Sequence, residues 1–275
     1  MNKIFKVIYS KAKHCYVVAS EFAKSYSKGG GSRTLRRAAV VFLAAAVYAA
    51  AGSAFANDGG DYVGNDYIGK AGTNPPYTLK IDSDIMIKGS AYGHKEDGNQ
   101  NVSKASVEMT AGKIYYNNYG DILYKDLLGG YSNNGNATSN SVIFSGEVNK
   151  VFGGSTNGGY AASNSVTISG GTVYEKVYGG YSKNGSAASN SVNISGGTIN
   201  GSVSGGYSSN SGDAKENQVT MTGGVIAYNN SINNSGNLYG GYSKKGNAAS
   251  NSVNISGGTI NGYVSGGYAF WKWFF

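Results

Sequence analysis

The sequence predicts an all-β chain: a parallel β-solenoid, read as a right-handed β-helix, behind a helical N-terminal leader. The solenoid is built from Gly-rich repeats of about 26 residues. Three observations carry this reading. A unit opening on Gly-Gly recurs five times between Gly129 and Ser265. Each unit holds one short run of alternating apolar and polar side chains. Glycine supplies 44 of the 275 residues and proline only 2. Glycine does not fall at every third position, so a collagen-like triple helix is excluded.

Aligned on Gly-Gly, the units are Gly129–Phe152, Gly153–Tyr178, Gly179–Ser204, Gly205–Tyr239 and Gly240–Ser265, with lengths of 24, 26, 26, 35 and 26 residues. A sixth opens at Gly266, and a weaker one precedes them around Val107, Met109 and Gly112. Within a unit, Asn164-Ser165-Val166-Thr167-Ile168 alternates, which predicts a strand with Val166 and Ile168 on one face. Gly170-Gly171 is a turn. Thr172-Val173 starts a second extended piece, and Val177-Tyr178-Gly179-Gly180-Tyr181 is a third, bent by its glycines. Ser182–Ser189 is expected to be an outward polar loop. The 35-residue unit carries its extra length, Asn229–Gly236, between its second and third pieces.

A single unit cannot bury its Val and Ile; stacked units can. Val142, Val166, Val192, Val219 and Val253 form one expected inward row. Phe144, Ile168, Ile194, Met221 and Ile255 form the next. Coils about 4.8 Å apart would make seven rungs a rod only about 30 Å long. Asn140, Asn164, Asn190, Asn217 and Asn251 share one position. That row reads either as a ligand-contacting stripe or as a structural amide ladder, and the ladder is favoured. Tyr131, Tyr181, Tyr207, Tyr242 and Tyr268 share another position, with Ser155 as the exception. Stacked tyrosines either cover the solenoid edge or bind glycan rings and apolar partner surfaces.

The net charge of +8 and pI near 9.2 suggest a nucleic-acid binder until the charge is mapped. Residues 1–56 hold six Lys and three Arg against Glu21, which accounts for all of the +8. The remainder holds fourteen Lys against fourteen acids and is neutral, so nucleic acid is not an expected partner. Arg33, Arg36 and Arg37 precede the apolar run Ala38–Ala51, and Ala54-Phe55-Ala56 ends it. These are the parts of a secretory signal, with cleavage expected after Ala56 and before Asn57. The only cysteine, Cys15, lies in this leader, so no disulfide framework exists.

The stretch before the arginines is longer than a secretory signal needs. Met1-Asn2-Lys3-Ile4-Phe5-Lys6-Val7-Ile8, followed by Cys15-Tyr16-Val17-Val18-Ala19-Ser20-Glu21-Phe22-Ala23-Lys24, closely resembles the extended signal-peptide region of type V secretion proteins, the autotransporters. The resemblance implies recognition by the secretion machinery, inner-membrane export, and a Gram-negative cell-surface, outer-membrane or extracellular destination. The expected layout is 1–25 extended region, 26–56 signal remainder, 57–88 strand or cap, 89–268 solenoid and 269–275 an aromatic tail. Autotransporters end in a membrane barrel. Here the units stop at Tyr268-Ala269 and give way to Phe270-Trp271-Lys272-Trp273-Phe274-Phe275, which reads as a truncated or frame-shifted passenger.

No catalytic, cofactor or metal site is expected. Acids are sparse and unpaired across units, so a glycosidase-type carboxylate pair has no evident place. Asp82 and Asp84 precede the main repeats and read as solvated. His94, with Glu96 and Asp97, reads as a loop. Gly-Gly lacks the Asp of calcium-binding rolls. The expected function is non-enzymatic: a surface adhesin or structural stalk that meets a host glycan, a surface protein or a second copy through a repeated face. The alternatives are a polysaccharide-degrading β-helix enzyme and a non-functional remnant.

Overall fold

The strand Ser191–Ile194 shows how one coil is built. Val192 and Ile194 are buried, while Asn193 is exposed. It pairs in parallel with Ser165–Ile168 on one side and Gln218–Met221 on the other, so Val166, Val192 and Val219 align. The computed structural model describes residues 5–10, 15–20, 60–63, 65–69, 78–227 and 236–270. These fall in two compact units, Met1–Ser53 and Ala54–Phe275.

In the second unit, seven such strands run in chain order from Thr78–Ile81 to Ser252–Ile255. Together with two further sheets they make a parallel β-solenoid. Leu79, Val107, Val142, Val166, Val192 and Val219 form one inward row, and Ile81, Met109, Phe144, Ile168, Ile194 and Met221 the next. All twelve are at most 1 % exposed, whereas in the last rung, also expected inward, Val253 is partly buried and Ile255 is 47 % exposed. Burying each such side chain stabilises the stack by roughly 1.5–3 kcal/mol, which no isolated coil can realise. The first rung, Thr78–Ile81, falls within the 57–88 segment.

A Gly-Gly corner follows each of the later rungs; Gly197, for example, has φ +79°. Beyond it lies the largest sheet, of twelve strands. In two coils the second and third extended pieces fuse into single long strands, Glu147–Thr156 and Thr172–Ser182. In the next coil they separate into Thr198–Ile199 and Val203–Ser208. The difference lies in the linking residues. Tyr174-Glu175-Lys176 stays extended, whereas Asn200-Gly201-Ser202 breaks the strand at its glycine.

The expected outward loop is in fact a third wall. Ala137, Ala161, Ala187 and Ala214 are fully buried, in two-residue strands that belong to a six-stranded parallel sheet. One small apolar residue per coil is all the periodicity this wall offers. Its neighbours are polar, so the sequence pattern reads as loop. Only the bend around Lys183–Gly185 is a loop. Ser182 begins that bend buried: its hydroxyl donates to Gly159 O at 2.7 Å and accepts from Gly185 N at 2.8 Å. Ser132, Thr156 and Ser243 repeat the arrangement.

The asparagine row lies inside this corner, 1 % exposed from Asn140 to Asn217. Asn190 Oδ1 accepts from both the backbone N and the Nδ2 of Asn164, each at 3.0 Å. Asn190 passes the same pair of bonds on to Asn217 Oδ1, and its second amide hydrogen reaches Ala161 O at 2.9 Å. The row begins where Ala105 N donates to Asn140 and continues to Asn251. Two local features make room for it. The residue before each asparagine is left-handed: Ser139, Ser163, Ser189, Glu216 and Ser250 have φ of 55° to 57°. The second glycine of Gly-Gly faces the carboxamide, and a Cβ on Gly180 would collide with that of Asn190.

The first unit departs from expectation. The leader is predicted helical, but Phe5–Ser10 and Cys15–Ser20 form an antiparallel hairpin in which Val7 faces Val18 and Tyr9 faces Tyr16. No helix occurs among the described residues. The strands are rich in Val, Ile, Tyr and Phe, which favour extended pairing. The apolar run, the cleavage residues Ala54, Ala56 and Asn57, and the tail 271–275 lie outside the described residues.

Two substitutions test the ladder. Asn190→Ala leaves the Asn164 donors without an acceptor and should destabilise by on the order of 2–4 kcal/mol in chemical denaturation, against about 0.5 or less for exposed Asn193→Ala. Ser189→Val places a β-branched residue at positive φ and should cost about 1–2 kcal/mol, while Ser189→Gly stays within about 1 of the parent.

Candidate functional site: an aromatic face and a charged corner

The strand Thr172–Ser182 sends Val177 inward and both Tyr178 and Tyr181 outward, because the two glycines between them bend it. Repeated along the stack, this gives two adjacent rows on one outer face. The first is the predicted one: Tyr131, Ser155, Tyr181, Tyr207, Tyr242 and Tyr268 are consecutive register partners. The second holds Tyr92, Leu128, Phe152, Tyr178, Ser204 and Tyr239. It escapes sequence reading because its chemistry varies from unit to unit. Its signal is an apolar or aromatic residue directly before Gly-Gly.

The tyrosines of the first row are stacked like coins. Tyr181 and Tyr207 lie 5.5 Å apart with planes at 7°, Tyr207 and Tyr242 4.9 Å at 11°, and Tyr242 and Tyr268 5.2 Å at 23°. Ring faces cover one another, so the row presents edges and hydroxyls outward. A glycan ring stacks on an open aromatic face, and inside this row no such face is free. Where the row lacks a tyrosine, at Ser155, Phe152 of the second row meets Tyr181 edge-on at 5.8 Å. Tyr131 leans toward the same gap, accepting a hydrogen bond from Asn157 Nδ2 at 2.8 Å.

Burial, reinforced by the neighbouring phenols, pushes Tyr207 and Tyr242 up to about 12 and raises Tyr178 well above the usual phenol range. The asparagine row is not on this surface. Its amides are spent inside the coil corner, so it offers no stripe for a ligand.

Beside the aromatic face, at the bend of the long strands, the fold gathers acids that sequence spacing leaves apart. Asp126, Glu147 and Glu175 stand on adjacent coils. Tyr124 and Tyr174 stack at 4.0 Å, and both donate to Glu147 Oε2, at 2.9 and 3.1 Å. Asn149 Nδ2 donates to Asp126 at 2.9 Å, and Lys150 pairs with Glu175 at 3.0 Å. Burial raises the Asp126 carboxyl, with Lys150 and Asn149 opposing it, and burial lowers Lys176. Parallel stacking brings successive coils within about 5 Å however far apart they lie in sequence, which is why Asp126 feels the charge of Glu175 across nearly fifty residues.

Near the start of the solenoid, His94 Nε2 lies 3.1 Å from Glu96, and Lys95 bridges Asp66 and Asp97 at 3.0 and 3.1 Å. Asp84 accepts from Lys113 N at 3.1 Å. Among the described residues, no group of three or more His, Cys, Asp or Glu is placed to hold a metal ion.

The tyrosine shifts give a pH dependence. The folded chain retains phenol protons that the unfolded chain releases near 10, so these groups' contribution is level below pH 10 and is lost as pH rises toward 12. Denaturation midpoints measured from pH 9 to 12 should fall, and the Tyr207→Phe/Tyr242→Phe variant should fall less steeply. An unchanged slope would contradict the assignment.

Residues 1–50 match the family model described as the Extended Signal Peptide of Type V secretion system. No curated protein and no solved structure matches the chain. The basic, cysteine-containing segment that reads as a leader is thus an extended signal peptide for inner-membrane export by type V secretion, and the parallel solenoid behind it has the form of an autotransporter passenger.

Proposed function

We infer that the exported chain is a non-enzymatic passenger that works at the bacterial surface as an adhesin or structural stalk. The carrying observation is the outer face on which Tyr181, Tyr207, Tyr242 and Tyr268 repeat coil after coil. A repeated face makes many weak contacts, and avidity multiplies them. Because the rings stack on one another, contact is made through phenol edges and hydroxyls. Such a ridge suits a partner surface with matching apolar and hydroxyl groups: a host surface protein, a glycan lying across the ridge, or a second copy. The buried asparagine and serine ladders serve the stalk, keeping successive coils in register.

A second reading has an observation of its own. Asp126, Glu147 and Glu175 on neighbouring coils provide acids of the kind a polysaccharide-degrading enzyme requires. Their hydrogen bonds to Asn149, Tyr124, Tyr174 and Lys150 favour a structural role.

Cell binding by the exported chain, compared with variants lacking one or two whole units between Gly179 and Ser265, separates these readings. Stepwise weakening supports the repeated face, and Tyr207→Ser/Tyr242→Ser should weaken binding at least severalfold. Binding unchanged by unit deletion, or release of reducing sugar that Glu147→Gln abolishes, would overturn the adhesin reading.

A further inference from the structure

Five Asn-Gly pairs occur in the chain: Asn134-Gly135, Asn157-Gly158, Asn184-Gly185, Asn200-Gly201 and Asn261-Gly262. Such a pair can react with itself. The backbone nitrogen of the glycine attacks the asparagine Cγ, and glycine offers no side chain to hinder it. Two groups must be free for this. The nitrogen has to lose its proton, and the carboxamide has to swing onto it. The solenoid treats the five pairs differently.

Three pairs lie in the outer bends that lead from the largest sheet to the alanine wall, and each is held at both groups. Gly185 N donates to Ser182 Oγ at 2.8 Å. Asn184 Nδ2 donates to Asn157 O at 2.8 Å, and its Oδ1 accepts from Asn210 Nδ2 at 2.9 Å. Gly135 N donates to Ser132 Oγ at 2.9 Å, and Asn134 Nδ2 to Asn99 Oδ1 at 2.9 Å. Gly158 N donates to Asn133 O at 2.9 Å, and Asn157 Nδ2 to Tyr131 Oη and Asn133 Oδ1, each at 2.8 Å. Reaction in a bend therefore has to break a bond at the nitrogen and another at the carboxamide.

The other two pairs occupy the corner between the second and third extended pieces, where the strand is broken. The backbone is anchored just before each glycine: Asn200 N donates to Val173 O at 2.8 Å and Asn261 N to Ile226 O at 2.9 Å. Among the described residues, the Asn200 and Asn261 carboxamides and the Gly201 and Gly262 nitrogens have no hydrogen-bond partner. Asn261 is exposed and Asn200 half-buried, so water reaches both.

We propose that Asn200-Gly201 and Asn261-Gly262 are self-modification sites, where asparagine converts to aspartate and isoaspartate, while the three bend pairs are protected. Gly201 N bonds to Asn200 Cγ, the Cγ–Nδ2 bond breaks, and the amide leaves as ammonia with the proton from the nitrogen. Water then opens the cyclic imide at either carbonyl, and nothing is oxidised or reduced. Both products carry a new negative charge. Isoaspartate also routes the main chain through Cγ, which adds one carbon at the corner, three residues before inward-facing Val203. The proposal does not depend on the tyrosine face, so the two stand or fall separately.

The test incubates the exported chain for several days at mildly alkaline pH, folded and in denaturant, and reads conversion at each pair by peptide mass mapping. In denaturant all five pairs should convert at similar rates. In the folded chain Asn200 and Asn261 should convert about tenfold or more faster than Asn134, Asn157 and Asn184, because each protected nitrogen has a hydrogen bond to give up. Ser182→Ala, its fold checked by circular dichroism, should speed Asn184 severalfold and leave Asn134 unchanged. Equal rates at all five pairs in the folded chain, faster conversion in the bends, or an Asn184 indifferent to Ser182→Ala would overturn the assignment.

Discussion

The bonds that Asn190 makes to the coils before and after it set the terms for the rest of the solenoid. Short parallel strands leave their register open to slips, since a slip by two residues still pairs Val with Ile. The carboxamide removes that freedom. Its oxygen accepts two hydrogens from Asn164, and its own hydrogens go to Asn217 and to Ala161. Each bond lies in a buried corner where an unpaired amide is expensive. Several otherwise odd features follow from it: the left-handed residue before each asparagine, the second glycine that faces it, and the buried alanine wall.

The same repetition that builds the core decides what the outside can do. Any side chain fixed at one position of the unit becomes a row with a spacing of about 4.8 Å. For tyrosine that spacing is close to ring stacking, so the rows close on themselves and leave a ridge of edges. Lysine and carboxylate rows would repel, and the register partners Lys150 and Lys176 are not continued by a third lysine in the next coil. Asn149-Lys150 gives way to Glu175-Lys176 and then to Gly201-Ser202. Departures from the repeat are therefore where particular chemistry concentrates. The clearest are the charged bend and the corner at Asn200-Gly201.

Much of the fold is legible in the order of residues. The inward rows through Val192 and Ile194 announce themselves by alternation and by recurrence at one period. The leader announces itself by charge segregation. The third wall was hidden because Ala187 is one small apolar residue among polar ones, with no alternation to reveal it. The leader hairpin was hidden because Ile4, Val7, Ile8 and Lys11 also fit helical spacing, and a short amphipathic segment is ambiguous between the two periods.

By itself, the sequence determined that the chain is exported, that a period near 26 residues drives a parallel solenoid, and which Val, Ile and Asn face inward. These depend on local pattern: charge blocks, alternation and spacing. The tertiary structure decided what lies beside what across coils. It placed Tyr178 against Tyr207, stacked the predicted tyrosines face to face, brought Asp126 near Glu175, and set Lys88 and Lys125 over the ring of Tyr116. Stacking turns a separation of many residues into a distance of a few ångströms. Which groups become neighbours depends on insertions and bends that no single unit encodes.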